Sequence, residues 1–446
     1  MIELYPHNQR DYEAMVSMLD DRGAACVIKP PSDGKAILGM HLAESEPDST
    51  VVWVNPQTLH FEQQRANAVR LSGEGPGPAH DFDNVVPMTY AALARIAETG
   101  EVPDVDPDIL VIDELHHAGA PVWGRGVEAL LAAFPHARLV GFSATPVRYQ
   151  DGGRDMAAEL FGDCIAVDRS IQEAWADEGN PLRPPTYVRA LYSKADERGA
   201  IASLRDRASR LSLEAAGRRD AVTEQINRLA RFVEDADGVD AVMERHIGEP
   251  DAKVLVFCKN REHLYELSSD EKVAEWFGGV NEDVHVYRCE ATRRDNADQL
   301  AGFNGDDSGA LKVLYSINMF NEAMHVRGAR YAVMARPTAS PGVWIQQIGR
   351  VMEPGPDGEP GVCIDLARNF VRATGYLAYR GGGTGSPRDS APWEGEGRSV
   401  VSDELMEVAA LVDAIKDNLA AAATPHEVVM AWVEAQRSKG RTPAHA

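Results

Sequence analysis

At 446 residues the chain is too long for one hydrophobic core, since single cores seldom grow past about 250 residues. Its 44% apolar content suffices for ordinary globular packing and excludes global disorder. A formal net charge of −24 excludes a broad basic face, so a nucleic acid has to be met by a local groove of backbone amides and a few arginines.

In chain order, residues 1 to about 190 alternate short β-like runs with helical or polar stretches. The strand candidates are CVIKP, VVWVNP, VVPMTY, ILVID and RLVGFSATP, and this alternation predicts a parallel α/β sheet. Residues 191–247 are charged and alanine-rich, with Val222, Ile226, Leu229 and Val233 on one stripe, and read as a helical connector. Strand-like runs return in VLVFCKN, HVYRC, LKVLYSI, YAVMARP and GVCIDL, which predicts a second α/β domain over 248–380. Residues 381–398 are rich in Gly, Ser and Pro and read as a linker, followed to residue 446 by a helical tail.

No stretch approaches the roughly 18 uncharged apolar residues of a membrane span, and the N-terminal residues lack a signal-peptide pattern, so a cytoplasmic protein without membrane contact is expected. The five cysteines are scattered and form no CxxC pair, which suggests neither a disulfide framework nor a zinc site.

The sharpest chemical feature is Asp113-Glu114-Leu115-His116-His117, directly after the run Ile109–Ile112. Adjacent carboxylates at the C-terminal edge of a parallel sheet sit where α/β folds bind ligands. One can hold Mg²⁺ through its water shell while the next orients an attacking water. Acidic pairs ending strands also serve simply as helix caps, so the context decides. Thirty residues later Ser143-Ala144-Thr145-Pro146 ends another β-like run, a place where a plain Ser/Thr cap is equally at home.

The pair DELH and SAT, in this order, resembles motifs II and III of superfamily 2 helicases of the DEAD/DEAH type. Across residues 1–370 the chain is similar to a bacterial group related to the type III restriction enzyme helicase subunits, through DELHHAGAPVWGRGVEALL, HARLVGFSATPVRYQDGGRDMAAELFG, VLVFCKN and RPTASPGVWIQQIGR. The resemblance implies two tandem RecA-like domains that bind ATP and Mg²⁺ between them and track along a nucleic acid, DNA first and RNA second. It assigns Asp113 to Mg²⁺, Glu114 to the attacking water and Lys35, with Gly34, to phosphate. Arg350 in the motif VI-like Gln346-Gln347-Ile348-Gly349-Arg350 would neutralise charge on the transferred phosphoryl group. Gln9 stands as an adenine reader, Glu322 in the motif V-like Asn321-Glu322-Ala323 and Gln346 as further ATP contacts. Ser143, Thr145 and His116 stand as residues coupling the nucleotide state to lobe closure. Strand contacts fall by position on Asn55 and Gln57, Thr89 and Tyr90, and Asn260 and Arg261, each with an alternative as a turn or cap residue. Trp123 and Trp344 are either base-stacking or core residues.

The resemblance has gaps. The phosphate loop reads Pro30-Pro31-Ser32-Asp33-Gly34-Lys35-Ala36 where the family usually has Pro-Thr-Gly-Ser-Gly-Lys-Ser/Thr. Ala36 brings no hydroxyl for Mg²⁺, Pro31 removes a backbone donor, and Asp33 sets a negative charge beside a triphosphate unless it points away or itself binds the metal. Glu353 replaces the second motif VI arginine, and Ala323 replaces a usual glycine. The readings left open are therefore an ATP-dependent DNA helicase or translocase, a helicase-fold binding module with lost ATPase, and the motor of a restriction or phage-defence complex.

Overall fold

A computed structural model describes residues 1–75, 79–148, 154–190, 194–209, 238–290, 292–317, 326–338, 340–367 and a few isolated positions. The motif V-like segment 321–323 and residues 381–446, apart from Val400 and Val401, lie outside the described residues.

The chain divides into two units, residues 1–188 with 246–400, and residues 189–245 with 401–446. The first unit holds two sheets. In the first lobe the strands are β1 (Ala24–Ile28), β2 (Val51–Asn55), β3 (Val85–Thr89), β4 (Ile109–Asp113), β5 (Arg138–Ser143) and, beyond a small antiparallel hairpin of β6 (Val147–Arg148) and β7 (Arg154–Asp155), β8 (Ile165–Asp168). Their spatial order is β3-β2-β4-β5-β1-β8, and all neighbours run parallel.

Each of the five strands expected here forms. They are apolar at nearly every position because both faces of a parallel sheet are covered by helices. Alternation along a strand sends Val27, Val51, Trp53, Val111 and Phe142 to one buried cluster, and Ile28, Val52, Val54, Leu110 and Ile112 to another. Full burial of each such side chain contributes about 1.5–3 kcal/mol.

The helices that matter for the site are α1 (Pro6–Arg22), α2 (Lys35–Ser45), α3 (Thr58–Glu74) and α4 (Tyr90–Thr99), followed by α5 (Pro121–Ala133), α6 (Met156–Phe161) and α7 (Ile171–Ala176). Gly39 lets α2 lie close on the sheet: a Cβ there would stand 2.5 Å from the Trp53 ring. That close seat fixes where α2 begins, and α2 begins at Lys35.

The second sheet contains, in spatial order, β11 (Val284–Cys289), β12 (Leu311–Ser316), β10 (Lys253–Phe257), β13 (Ala329–Met334), β14 (Val362–Asp365) and β9 (Thr186–Arg189). The first five run parallel and coincide with the five expected strands. β9 corrects the expected boundary at residue 190: Thr186 N donates to Gly361 O at 2.8 Å, so the chain has entered the second lobe before that point. Proline at 184 and 185 hid this strand from the sequence pattern.

In the second unit the described residues include α8 (Lys194–Ser209), with Ile201, Leu204 and Ala208 buried, and part of α9 (Val239–His246). Of the stripe read from the sequence, Ile226 is described and buried, while Val222, Leu229 and Val233 lie outside the described residues. No helix among the described residues is long and apolar enough to cross a membrane.

Candidate functional site

β1 and β4 flank β5, so the segments leaving their C-terminal ends stand roughly 10 Å apart along one sheet edge. β4 delivers the acidic pair. Asp113 and Glu114 are only 2% and 4% exposed. Asp113 Oδ1 accepts the Glu114 N–H and Oδ2 accepts Gln64 Nε2, each at 3.0 Å. Glu114 takes a left-handed conformation, φ 52° and ψ 62°, which non-glycine residues avoid and which clusters at functional sites. Tyr90 Oη holds the turn from below, donating to the Asp113 carbonyl at 2.9 Å and the Glu114 carbonyl at 3.3 Å. His116 Nδ1 stands 3.6 Å from Glu114 Oε2.

β1 delivers the phosphate-type loop. Positive φ at Ser32 (61°) and Gly34 (83°) folds it onto the start of α2, where no side chain caps the first amides. Such orphan donors and the helix dipole favour an anion. Gly34 is required twice over, by its φ and because a Cβ there would stand 2.5 Å from Asn8 Nδ2. Lys35 Nζ donates to the carbonyls of Lys29 (3.0 Å) and Pro30 (2.9 Å), and burial lowers its pKa against the pull of Glu114 and Asp113.

Asp33 turns away from the cavity. Its Oδ1 accepts Asn180 Nδ2 at 2.7 Å and faces His7 Nε2 at 3.1 Å, while Oδ2 stands 3.5 Å from Lys29 Nζ and 3.6 Å from Arg169 Nη1. Lys29, fully buried, also donates to Asn8 Oδ1 and Asp11 Oδ2, and Arg169 Nη2 donates to Asp11 Oδ1 at 2.8 Å. Burial alone would raise the Asp33 pKa, but the His7 contact, Lys29 and Asn180 outweigh it and hold the carboxyl below its ordinary range. Of the two outcomes left open for Asp33, the structure has the side chain pointing away, so its charge is matched by cations instead of opposing a phosphate.

The second lobe closes the cavity with α13 (Pro341–Ile348) and the 3₁₀ turn Gly349–Val351, reached after α10 (Arg261–Leu267), α11 (Asp270–Phe277) and α12 (Asn296–Gly305). Ser32 Oγ donates to Gly349 O at 3.0 Å, and a Cβ at Gly349 would stand 2.6 Å from Pro31 Cβ. Two of the four residues that depart from the usual loop, Pro31 and Ser32, thus touch the motif VI-like turn. Thr145 packs likewise on Gly342, where a Cβ would meet its Oγ1 at 2.9 Å. A short strap spans the same edge: Asn180 bonds Asp33, and Arg183 N donates to Met352 O at 2.8 Å.

The result is a cavity of about 200 Å³ lined by Lys35, Ala36, Gln64, Asp113 and Glu114 from one lobe and by Gln346, Arg350 and Glu353 from the other. Burial pulls the Arg350 pKa down to about 10, against Glu114 and Glu353, and leaves it charged at neutral pH. Two cations, three carboxyl groups (Asp113, Glu114 and Glu353) and a helix start around one small cavity fit a polyphosphate with one divalent ion. Asp113 and Glu114 are the carboxylates such an ion would meet, with phosphate oxygens and water completing its shell. Ala36 still offers no oxygen.

Other expected residues are placed as follows. Gln9 is exposed on α1 and donates to Glu13 Oε1 at 2.9 Å, an i,i+4 surface pair, so it does not line the cavity; its neighbours His7 and Asn8 face inward instead. Ser143 is buried, with Oγ accepting Thr145 N at 3.2 Å. Gln57, Thr89, Asn260 and Arg261 lie at strand ends, where Thr89 caps α4 and Asn260 caps α10. Arg261 is exposed, 3.5 Å from Glu290. Asn55 and Tyr90 are fully buried and do not form a strand-binding surface; Tyr90 supports the acidic turn. Trp344 is core, donating to Tyr187 Oη at 3.3 Å, and Trp123 packs on Tyr90 and His117. Glu322 lies outside the described residues.

The sequence reading missed Gln64 and the cluster of His7, Asn8, Asp11, Lys29, Arg169 and Asn180. A signal existed for one of them: Lys29 continues the apolar run AACVI without a polar face to occupy.

Residues 33–148 match the family described as type III restriction enzyme, res subunit, and residues 238–355 match the helicase conserved C-terminal domain. A candidate DNA 3′-5′ helicase, Rad25, from Halobacterium salinarum is 25% identical over 363 residues, covering 79% of this chain and 53% of that protein. The chain spans about half the length of the curated relatives it matches. Among solved structures, Dbp5 of S. cerevisiae bound to RNA and ADP BeF3 aligns over 91% of this chain and 92% of that one, with a TM-score of 0.52 and 14% identity. The type ISP restriction-modification enzyme LlaBIII bound to DNA aligns over 82% of this chain and 28% of that one, with a TM-score of 0.52 and 12% identity. At these identities the two structures bear on the fold alone.

Proposed function

Since the chain belongs to the superfamily 2 helicases, in the branch related to restriction-enzyme helicase subunits, we propose that it is an ATP-driven translocase or helicase acting on DNA. The observation that carries this reading is the convergence of Lys35, Asp113, Glu114 and Arg350 on one cavity drawn from both lobes.

In this reading Lys35 and the first amides of α2 bind the β- and γ-phosphates. Asp113, its carboxylate fixed by Gln64 and by the Glu114 amide, would hold Mg²⁺, which would supply charge neutralisation at the phosphate oxygens. Glu114, held in its left-handed turn by Tyr90, positions and deprotonates the attacking water. Arg350 meets the negative charge that develops on the transferred group. Gln346 makes a further nucleotide contact. Thr145 against Gly342, its N–H held by Ser143 Oγ, transmits closure between the lobes, and His116 beside Glu114 takes part in that coupling. Gln57, Thr89, Asn260 and Arg261 take the strand at the exposed strand ends.

The expected result is ATP turnover stimulated by single-stranded DNA and lowered at least about a hundredfold by Glu114→Gln. Steady-state hydrolysis with and without single-stranded DNA checks it. Absent stimulation, together with no loss in the variant, would leave the alternative of a binding module without turnover.

A second reading, a motor subunit in a restriction or defence assembly, is favoured by the match of residues 33–148 to the type III restriction family. Copurification of a nuclease partner supports it, and a stable DNA-stimulated monomer counts against it.

A further inference from the structure

Ala36 leaves the site short of one neutral oxygen, because the hydroxyl that usually follows the loop lysine is the one that joins the magnesium shell. Gln64 lines the same cavity as Ala36 and Asp113. Its Nε2 donates to Asp113 Oδ2 at 3.0 Å and stands 2.6 Å from His60 Nε2, itself on a buried ring one turn earlier in α3. These contacts fix the amide orientation, since the reverse assignment would set an oxygen against a carboxylate. The opposite atom, Gln64 Oε1, is shielded from bulk water and has no hydrogen-bond partner among the described residues. A buried amide oxygen without a donor is rare and costly, and it marks a place where an ion or its water belongs.

We propose that Gln64 replaces the missing loop hydroxyl: it orients the metal carboxylate Asp113 through its amide nitrogen and gives its carbonyl oxygen to the hydrated divalent cation. His60 fixes the rotamer of Gln64 and so acts as a positioning residue. The inference rests on the nucleotide-binding reading above. A carboxamide is a competent hard-cation ligand, and partners that orient a ligating carboxylate are worth about 10- to 100-fold in metal affinity.

The test measures Mn²⁺ uptake by the full chain saturated with ADP, from the electron paramagnetic resonance signal of free Mn²⁺. Gln64→Met should weaken Mn²⁺ binding about tenfold or more while metal-free ADP affinity stays within about twofold. Ala36→Ser added to that variant should return most of the lost affinity, a rescue that a merely structural role for Gln64 does not produce. Wild-type Mn²⁺ affinity in Gln64→Met, or a loss that Ala36→Ser leaves in place, overturns the proposal while the nucleotide reading stands. Failure of the wild-type chain to take up Mn²⁺ with ADP overturns both.

Discussion

The acidic end of β4 and the loop after β1 line one cavity and are held there by different physics. The acidic end is a backbone construction: a buried strand stops, Glu114 turns left-handed, and Tyr90 and the neighbouring amide fix the two carboxylates. The loop is a side-chain construction, in which Asp33, Lys29, Asp11, Arg169, His7 and Asn180 form a buried charge cluster beneath it while Pro31 and Ser32 rest on Gly349. A glycine-rich loop reaches its shape through backbone freedom. This one adds ionic partners to the left-handed Ser32 and Gly34, so Pro31, Ser32 and Asp33 act together, whereas Ala36 stands apart from the cluster.

The comparison can be broken most sharply at Arg350, which lines the cavity from the second lobe, near both Glu114 and Glu353. Arg350→Ala should lower DNA-stimulated ATP turnover by about 10³-fold, measured by steady-state hydrolysis. Comparable loss of folding stability in that variant would show that the cavity is held together by the arginine itself.

Lys29 carries the opposite signature. Removing it leaves Asp11 and Asp33 with one buried cation fewer, and breaking such a pair costs about 3–5 kcal/mol. Urea unfolding of Lys29→Met should show that loss, and adding Asp33→Asn should recover part of it. If the double variant is no better than the single one, the cluster is not the unit described here.

Acid sharpens the same point. The Asp33 carboxyl is held below its ordinary value in the folded chain, so its contribution to stability is complete above the unfolded carboxylate pKa of about 3.9 and is lost as pH falls through the lower folded value. Unfolding curves between pH 3 and 6 should therefore steepen toward acid in the native chain and flatten in Asp33→Asn.

The smallest effect is expected at the strand ends. With a net charge of −24 and few exposed arginines near the strand termini, DNA affinity should depend weakly on salt. Arg261→Ala should reduce the slope of log affinity against log salt by about 1, measured by fluorescence anisotropy on single-stranded DNA.

Most of the fold was legible because parallel strands buried on both faces advertise themselves as short apolar runs; ten of them were read correctly. β8 and β9 were not: β8 is only four residues long, and prolines precede β9, whose partner β14 lies more than 170 residues away. The acidic pair and Arg350 were singled out through their resemblance to motifs II and VI, and the structure sets them on one cavity. Gln9 misled, because position along α1 decided which residues face inward, and that face belongs to His7, Asn8, Asp11 and Met15. Asp33 was read as a liability because its partners come from residues 7, 29, 169 and 180, and only tertiary folding brings them together.

The strap through residues 180–183 sets a length scale for opening. Asn180 is bonded to the phosphate loop and Arg183 to Met352, two residues past Arg350. Three residues at full extension reach about 10 Å. While both bonds hold, the lobes are tethered at this edge like a book at its spine, and any wide gape has to develop on the far side of the cavity. An opening that kept both bonds would pivot about this edge, holding Met352 within that reach of the phosphate loop.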